Sequence, residues 1–192
     1  MDPFLYELAF GLLLGFSLTI PPGPMNAFIA SQAVRSFREG FRTGLGAMSA
    51  DLLLAAVVFS FHAEVDLSGE LRWIYLLGAA VMVGLGVSVM RGASGGAPPP
   101  TSGWRAYTKA LGIGLSNPFQ IVWWLTAGLA FAYLGGWVLF VGLFGAVAVW
   151  IVVFPWAVHT GTERKPGVGR GVVVVSSVAI LAFAAYFVYL AL

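Results

Sequence analysis

The sequence predicts an all-α polytopic membrane protein: six transmembrane helices arranged as two inverted three-helix repeats, the first helix of each repeat broken at proline. Composition is the first observation behind this. The 192 residues are 59% hydrophobic and only 9% charged, whereas an ordinary soluble domain carries about 25% charged residues. No soluble core could hide that much apolar surface. The other two observations are the spacing of the charge-poor runs and a pair of proline interruptions at matched places.

Charge-poor runs cover residues 4–34, 43–61, 73–90, 106–133, 137–159 and 171–192. A helix needs about 20 apolar residues to cross about 30 Å of hydrocarbon, and four runs fit that. The first and fourth are longer, up to about 30 residues and about 45 Å as straight helices. Those two also hold internal prolines: Pro21, Pro22 and Pro24 in one, Pro118 in the other. Excess length and interruption coincide, so both runs read as discontinuous helices.

Orientation follows from the basic residues near span ends. Arg35, Arg38 and Arg42 fall in the first loop, Arg91, Arg105 and Lys109 in or beside the third, and Arg164, Lys165 and Arg170 in the fifth. Only Arg72 of the ten basic residues lies elsewhere, so the odd loops are cytoplasmic. The chain is then a multi-pass protein of the cytoplasmic (inner) membrane with both termini outside. Tyr6, Trp73, Trp137 and Tyr189 suit the outer interface, Trp104 and Trp156 the inner one. A five-span arrangement with a re-entrant first run breaks this alternation. The start, "MDPFLYELAF", lacks the basic region of a cleaved leader and reads as a retained helix. The net charge of +2 comes from these loop clusters, so it reports topology rather than a nucleic-acid partner. The lipid bilayer is the expected surrounding.

The segment "RGASGGAPPPTSGWR" is the only Gly/Pro/Ser-rich linker, and it falls at mid-chain. It divides the sequence into a first three-helix repeat at 1–90, a linker at 91–104 and a second repeat at 105–192, together one transmembrane domain. "GFSLTIPPGPMNAF" in the first half lies opposite "GIGLSNPFQIVW" in the second. Three helices per half make the second copy enter the membrane from the opposite side. That is the inverted repeat of many secondary transporters, in which broken helices meet at the midplane and form the substrate site.

The breaks carry the candidate site. Gly23 admits backbone angles closed to other residues, and Pro24 suits a first helical turn, where its missing N–H is no loss. A half-helix starting there aims free N–H groups and a positive dipole end at mid-membrane, a ready place for a carboxylate. Ser116, Asn117 and Pro118 repeat that grammar of a capping side chain followed by proline. Asn26 and Gln120 each lie two residues after the proline. Their amides can serve a carboxylate or an ammonium group, or simply join helices within the bundle. Gln32, nearer the inner end, reads as structural.

Asp51 is the only acid well inside a span. A charge there costs about 2.5–3.5 kcal/mol on insertion scales, so such groups face a cavity or a partner. Burial disfavours the charged carboxylate, which suits a proton-coupling acid or a counter-charge for an ammonium group. The plainer reading is a protonated acid bonded to a nearby carbonyl or to Ser49. No acid occupies the corresponding place in the second half, which falls at Gly145.

Other features exclude more than they assign. The chain has no cysteine, so thiol chemistry and disulfides are out. His62 and His159 belong to opposite ends of different spans and cannot share a metal. No metal cluster, phosphate loop or nucleophile–base pair is legible, so neither an enzyme nor a cofactor is expected. Trp123, Trp124 and Trp150 lie deep in spans, where packing is the simpler role and lining a path the other. Gly11/Gly15 and Gly40/Gly44 have the spacing of close helix contacts, which is compatible with a homodimer.

"IPPGPMNAFIASQAVRSFREGFRTGLGAMSADLLLA", followed by "GLSNPFQ", resembles the LysE/RhtB family of amino-acid exporters. Members resemble one another in a proline–glycine–proline break with a nearby Asn, an acid early in helix two and an Asn-Pro in helix four. Here these map to Pro22, Gly23 and Pro24 with Asn26, to Asp51, and to Asn117 and Pro118. "PxGPxNAF" is closer to the lysine and arginine branch than to the threonine and homoserine one. Phe119–Gln120 departs from the basic or different polar residues often found there, which leaves the substrate open. The resemblance implies export of amino acids or similar small zwitterions in exchange for protons. A passive channel or metal-ion exporter on the same scaffold is the alternative; it calls for several acids or a continuous polar stripe, and one acid is present.

Overall fold

The fold, seen in a computed structural model, is described over residues 2–20, 23–61, 71–94, 103–125, 136–164 and 166–192. Among these the regular structure is helical: α1 (Pro3–Thr19), α2 (Pro24–Ala33), α3 (Phe37–Phe61), α4 (Leu71–Ser94), α5 (Trp104–Leu115), α6 (Pro118–Trp123), α7 (Trp137–Arg164) and α8 (Pro166–Ala191). Among the described residues three segments, Phe37–Ser60, Trp137–Arg164 and Arg170–Tyr189, are long and apolar enough to cross a membrane. The pair α1 and α2 makes a fourth if counted as one span, bent by 78° at its break. The second predicted break lies between α5 and α6, and its run continues into residues outside those described, as do Pro21, Pro22 and His62.

Helix boundaries depart from the apolar runs in one consistent way. α3 begins at Phe37, α4 continues to Ser94 and α7 to Arg164, so Arg38, Arg42, Arg91 and Arg164 sit in helical turns rather than in loops. The first four residues assigned to the linker, 91–94, are therefore the end of α4. Helical hydrogen bonding does not stop where hydrocarbon stops, and long basic side chains near a helix end can reach the interface from it.

Packing interleaves the two halves of the sequence. α1 packs on α7 and α5 on α3, so the leading broken segment of each half lies against the first full-length helix of the other. α3 also packs on α7, and α4 packs on α8. Glycine permits the closest approaches in both exchanged pairs: a Cβ at Gly11 would collide with the Leu139 carbonyl oxygen, and one at Gly46 with that of Tyr107. Gly15 lies against Leu143 and Ala146, while Gly40 and Gly44 face Ala33, Pro155 and Ile151. These spacings serve contacts within the chain, and so they give no ground for a dimer.

Between helices in lipid no hydrophobic force operates, and close packing of small residues takes its place. Ala27, Ala79, Ala110 and Ala184 fill the core shared by α2, α4, α5 and α8 together with Phe28, Met82 and Ile180. A second core joins Ala55 and Val58 of α3, Leu143, Val147 and Ile151 of α7, and Trp124 just beyond α6.

Helix ends meet in two groups. At one, Gly40 faces Ala33 and Pro155, and His159 Nδ1 lies 3.1 Å from the Ala33 carbonyl oxygen; in the sequence Arg35 and Arg164 follow shortly after Ala33 and His159. Elsewhere, Phe4 meets Trp137 with ring centroids 6.5 Å apart, joining the starts of α1 and α7, and Tyr75 meets Phe187 at 6.0 Å.

Gly11→Leu should separate α1 from α7 and destabilise the protein by about 1–3 kcal/mol, the usual range for overpacking, read as a lower unfolding midpoint in detergent. Gly112→Ala, whose added methyl meets nothing within 4 Å, should leave the midpoint in place. Equal midpoints for the two variants would contradict the close α1–α7 contact.

Candidate functional site

The first break is built from short-range chemistry. α1 ends with Thr19 Oγ1 donating to the Gly15 carbonyl at 2.9 Å. Gly23 precedes α2 in extended conformation, with Pro24 at the first helical position and no side chain capping the start. Asn26, in the first turn of α2, turns back and donates through Nδ2 to the Thr19 carbonyl. One amide thus holds a carbonyl that the interruption of α1 leaves without an intrahelical partner.

The second break uses the same residue types differently. Asn117 is the cap of α6, its Oδ1 accepting from the Phe119 N–H at 3.2 Å, with Pro118 again at the first helical position. Ser116 does not cap; its hydroxyl donates backwards to the Gly112 carbonyl at 2.9 Å. The two starts are therefore unequal. α6 has its leading N–H occupied by its own side chain, whereas α2 begins on a glycine and has no such cap.

Asp51 is 5% exposed and on α3. Gln120 Nε2 and Trp124 Nε1 both donate to its Oδ1, each at 2.8 Å. Gln120 Oε1 in turn accepts from Asn117 Nδ2 at 3.4 Å. The acid is held by α6 and the residue after it, not by Ser49, whose Oγ accepts from the Tyr107 hydroxyl at 2.9 Å. Both donors converge on one oxygen, and Asp51 lines a cavity.

That cavity holds about 560 Å³ of atom-free space including its open mouth. Gly23, Pro24 and Asn26 from the first break, Asn117 and Gln120 from the second, and Asp51 between them all line it. Pro118 is buried in the first turn of α6 and outside the lining, and Pro22 lies outside the described residues. Gln32 is buried away from the cavity, its Nε2 3.3 Å from Ser31 Oγ.

Tryptophan is where sequence reasoning fell short. Trp150 lines the cavity and donates through Nε1 to Asn26 Oδ1 at 3.1 Å, and Trp124 is fully buried against Asp51. An indole deep in an apolar run carries no local mark that separates packing from hydrogen bonding. Spacing offers one clue: a lone buried acid needs donors, and Trp124 lies four residues after Gln120, on the same helical face. The two amides also tie opposite halves together. Asn26 is bonded to Trp150 of the second half, and Gln120 to Asp51 of the first.

Trp124→Phe keeps the ring and removes one of the two donors to Oδ1. It should destabilise the protein by about 1–3 kcal/mol, the penalty for stranding a buried polar partner, measured by chemical or thermal unfolding in detergent. The loss should largely vanish in an Asp51→Leu background; an unchanged loss there would mean that the bond contributes nothing.

The model of the LysE type translocator family matches residues 16–191. The chain is also 27% identical, over 93% of each sequence, to the "Putative amino acid efflux protein YcgF" of Bacillus subtilis (strain 168). No solved structure matches it. A family match over nearly the whole sequence, with apolar helices long enough to cross a membrane around an internal cavity, leaves one assignment: the chain belongs to the LysE type translocator family, and is a multi-pass membrane transporter rather than an enzyme.

Proposed function

We propose that this protein exports amino acids, or similar small zwitterions, across the cytoplasmic membrane in exchange for protons. The observation that carries the reading is the convergence of both breaks and the one deep acid on a single cavity. The efflux activity in the relative's name agrees with it.

The substrate carboxylate sits at the start of α2, by Gly23 and Pro24, where first-turn N–H groups lack intrahelical acceptors and the dipole is positive. The unequal capping favours this end over Pro118 and the start of α6, which position Asn117 and Gln120 instead. The substrate ammonium group meets Oδ2 of Asp51. Gln120 and Trp124 keep Oδ1 in place, so Oδ2 can exchange an ammonium group for a proton without rearranging that network. Proton and substrate compete for one oxygen. Acid outside the cell therefore displaces the substrate outward, and the protonated site returns.

Six spans in two inverted repeats, 1–90 and 105–192 about the 91–104 linker, supply the two access states by one half rocking against the other. The exchanged packing of α1 on α7 and α5 on α3 supports that arrangement. So does the contact between Ala33 and His159, which shortly precede Arg35 and Arg164 in the sequence. Both termini then face outside.

Two measurements test this. Single cysteines introduced into the cysteine-free chain at Asp2 and Leu192 should react with an impermeant maleimide in intact cells. One at Arg38 should react only after the membrane is opened, and labelling of the two termini from opposite sides would end the inverted-repeat reading. In loaded vesicles with the potential clamped at zero, a one-unit pH gradient should sustain about a tenfold gradient of exported amino acid, since one unit is about 1.4 kcal/mol per proton. Asp51→Asn should abolish that pH-driven gradient while the protein stays inserted. Undiminished pH-driven export by the variant retires the proton role.

A further inference from the structure

We infer that the cavity is built for a neutral amino acid with an aliphatic or thioether side chain, not for a basic or acidic one. This rests on the amino-acid export reading above and narrows it to a substrate class. The first ground is a count of charges. Asp51 is the sole ionisable side chain among the described residues that line the cavity, and the substrate's own ammonium group occupies it. A lysine or arginine side chain would bring a second cation with no acid to meet it, and a glutamate side chain a second anion with no base. Burying an unpaired charge is strongly unfavourable.

The second ground is the state of the polar side chains. Asn26 is engaged by Trp150 and by the Thr19 carbonyl. Gln120 bridges Asp51 and Asn117, and Asn117 accepts from the Phe119 N–H. These amides build the site, so a substrate hydroxyl or amide would have to compete with bonds already made.

Thr19 also lines the cavity, its hydroxyl proton donated to the Gly15 carbonyl, and most of the remaining wall is apolar and partly deformable. Leu18, Met25, Ile29, Met48, Val147 and Ile151 line the cavity. The two methionines are unbranched and polarizable, able to adjust to branched or sulfur-bearing side chains of slightly different shape. Leucine, isoleucine and methionine match such a wall. This departs from the basic branch that the "PxGPxNAF" motif resembles. The motif builds the break, whereas residues scattered over α1, α2, α3 and α7 shape the wall.

The test is efflux from vesicles containing the full-length protein, each loaded with one labelled amino acid: leucine, methionine, serine, lysine, arginine or glutamate. Leucine and methionine should exceed the other four in kcat/KM by about tenfold or more, the discrimination that a few apolar contacts provide. M48E, which adds a second acid one helical turn from Asp51, should shift the lysine-to-leucine ratio toward lysine by about tenfold. Equilibrium binding of labelled leucine and lysine to the purified wild-type protein gives the same comparison independently of the variant. Lysine or arginine matching leucine in the wild type would overturn the substrate class and leave the export reading standing. No movement of any of the six by correctly inserted protein would overturn the export reading itself, and the class with it.

Discussion

An apolar surrounding offers no water to a backbone carbonyl or N–H, so a helix interrupted there must find partners within the protein. The architecture of this chain follows from meeting that requirement twice. At the first break, one amide reaches back from α2 to the last carbonyl of α1. At the second, Asn117 caps α6 and Ser116 serves the end of α5. Because these partners come from within a few residues of each break, the interruptions are locally supported, and the space between them is left for something else.

What holds the two breaks in one place is longer in range. Gln120 and Trp124 cross to Asp51, and Trp150 crosses to Asn26, so each broken segment is tied to a long helix of the opposite half. Glycines on α1 and α3 bring the exchanged helix pairs to backbone contact, and that proximity lets the cross-half bonds form at 2.8–3.1 Å. A cavity lined from both halves changes shape when either half moves. The same bonds fix one oxygen of Asp51 with two donors from the opposite half.

Much of this is legible in the sequence. Proline in an overlong apolar run marked both breaks, a lone acid in a span marked Asp51, and the matched offset from proline paired Asn26 with Gln120. Each rests on a local rule: proline cannot continue a helix, and charge is unfavourable in lipid. The partners of Asp51 were not legible, because they lie 69 and 73 residues away. A helix apolar on every side also carries no periodicity that says which face is inward. The inequality of the two helix starts was hidden for a related reason. Both read as a cap followed by proline, and only the observed rotamers show that Asn117 caps its own helix while Asn26 turns to its neighbour's carbonyl.

Sequence alone determined that the chain is a helical membrane protein, where its helices fail, and which few polar groups lipid would not tolerate unaccompanied. Those properties follow from composition and from backbone chemistry that acts within a turn or two. The tertiary structure decided which groups meet: that both breaks and Asp51 border one cavity, that two tryptophans supply hydrogen bonds rather than bulk, and that the glycine stripes are used inside the chain. Such meetings depend on how whole helices cross. Crossing is set by the summed fit of small residues along their lengths, a quantity spread over the chain and carried by no single motif.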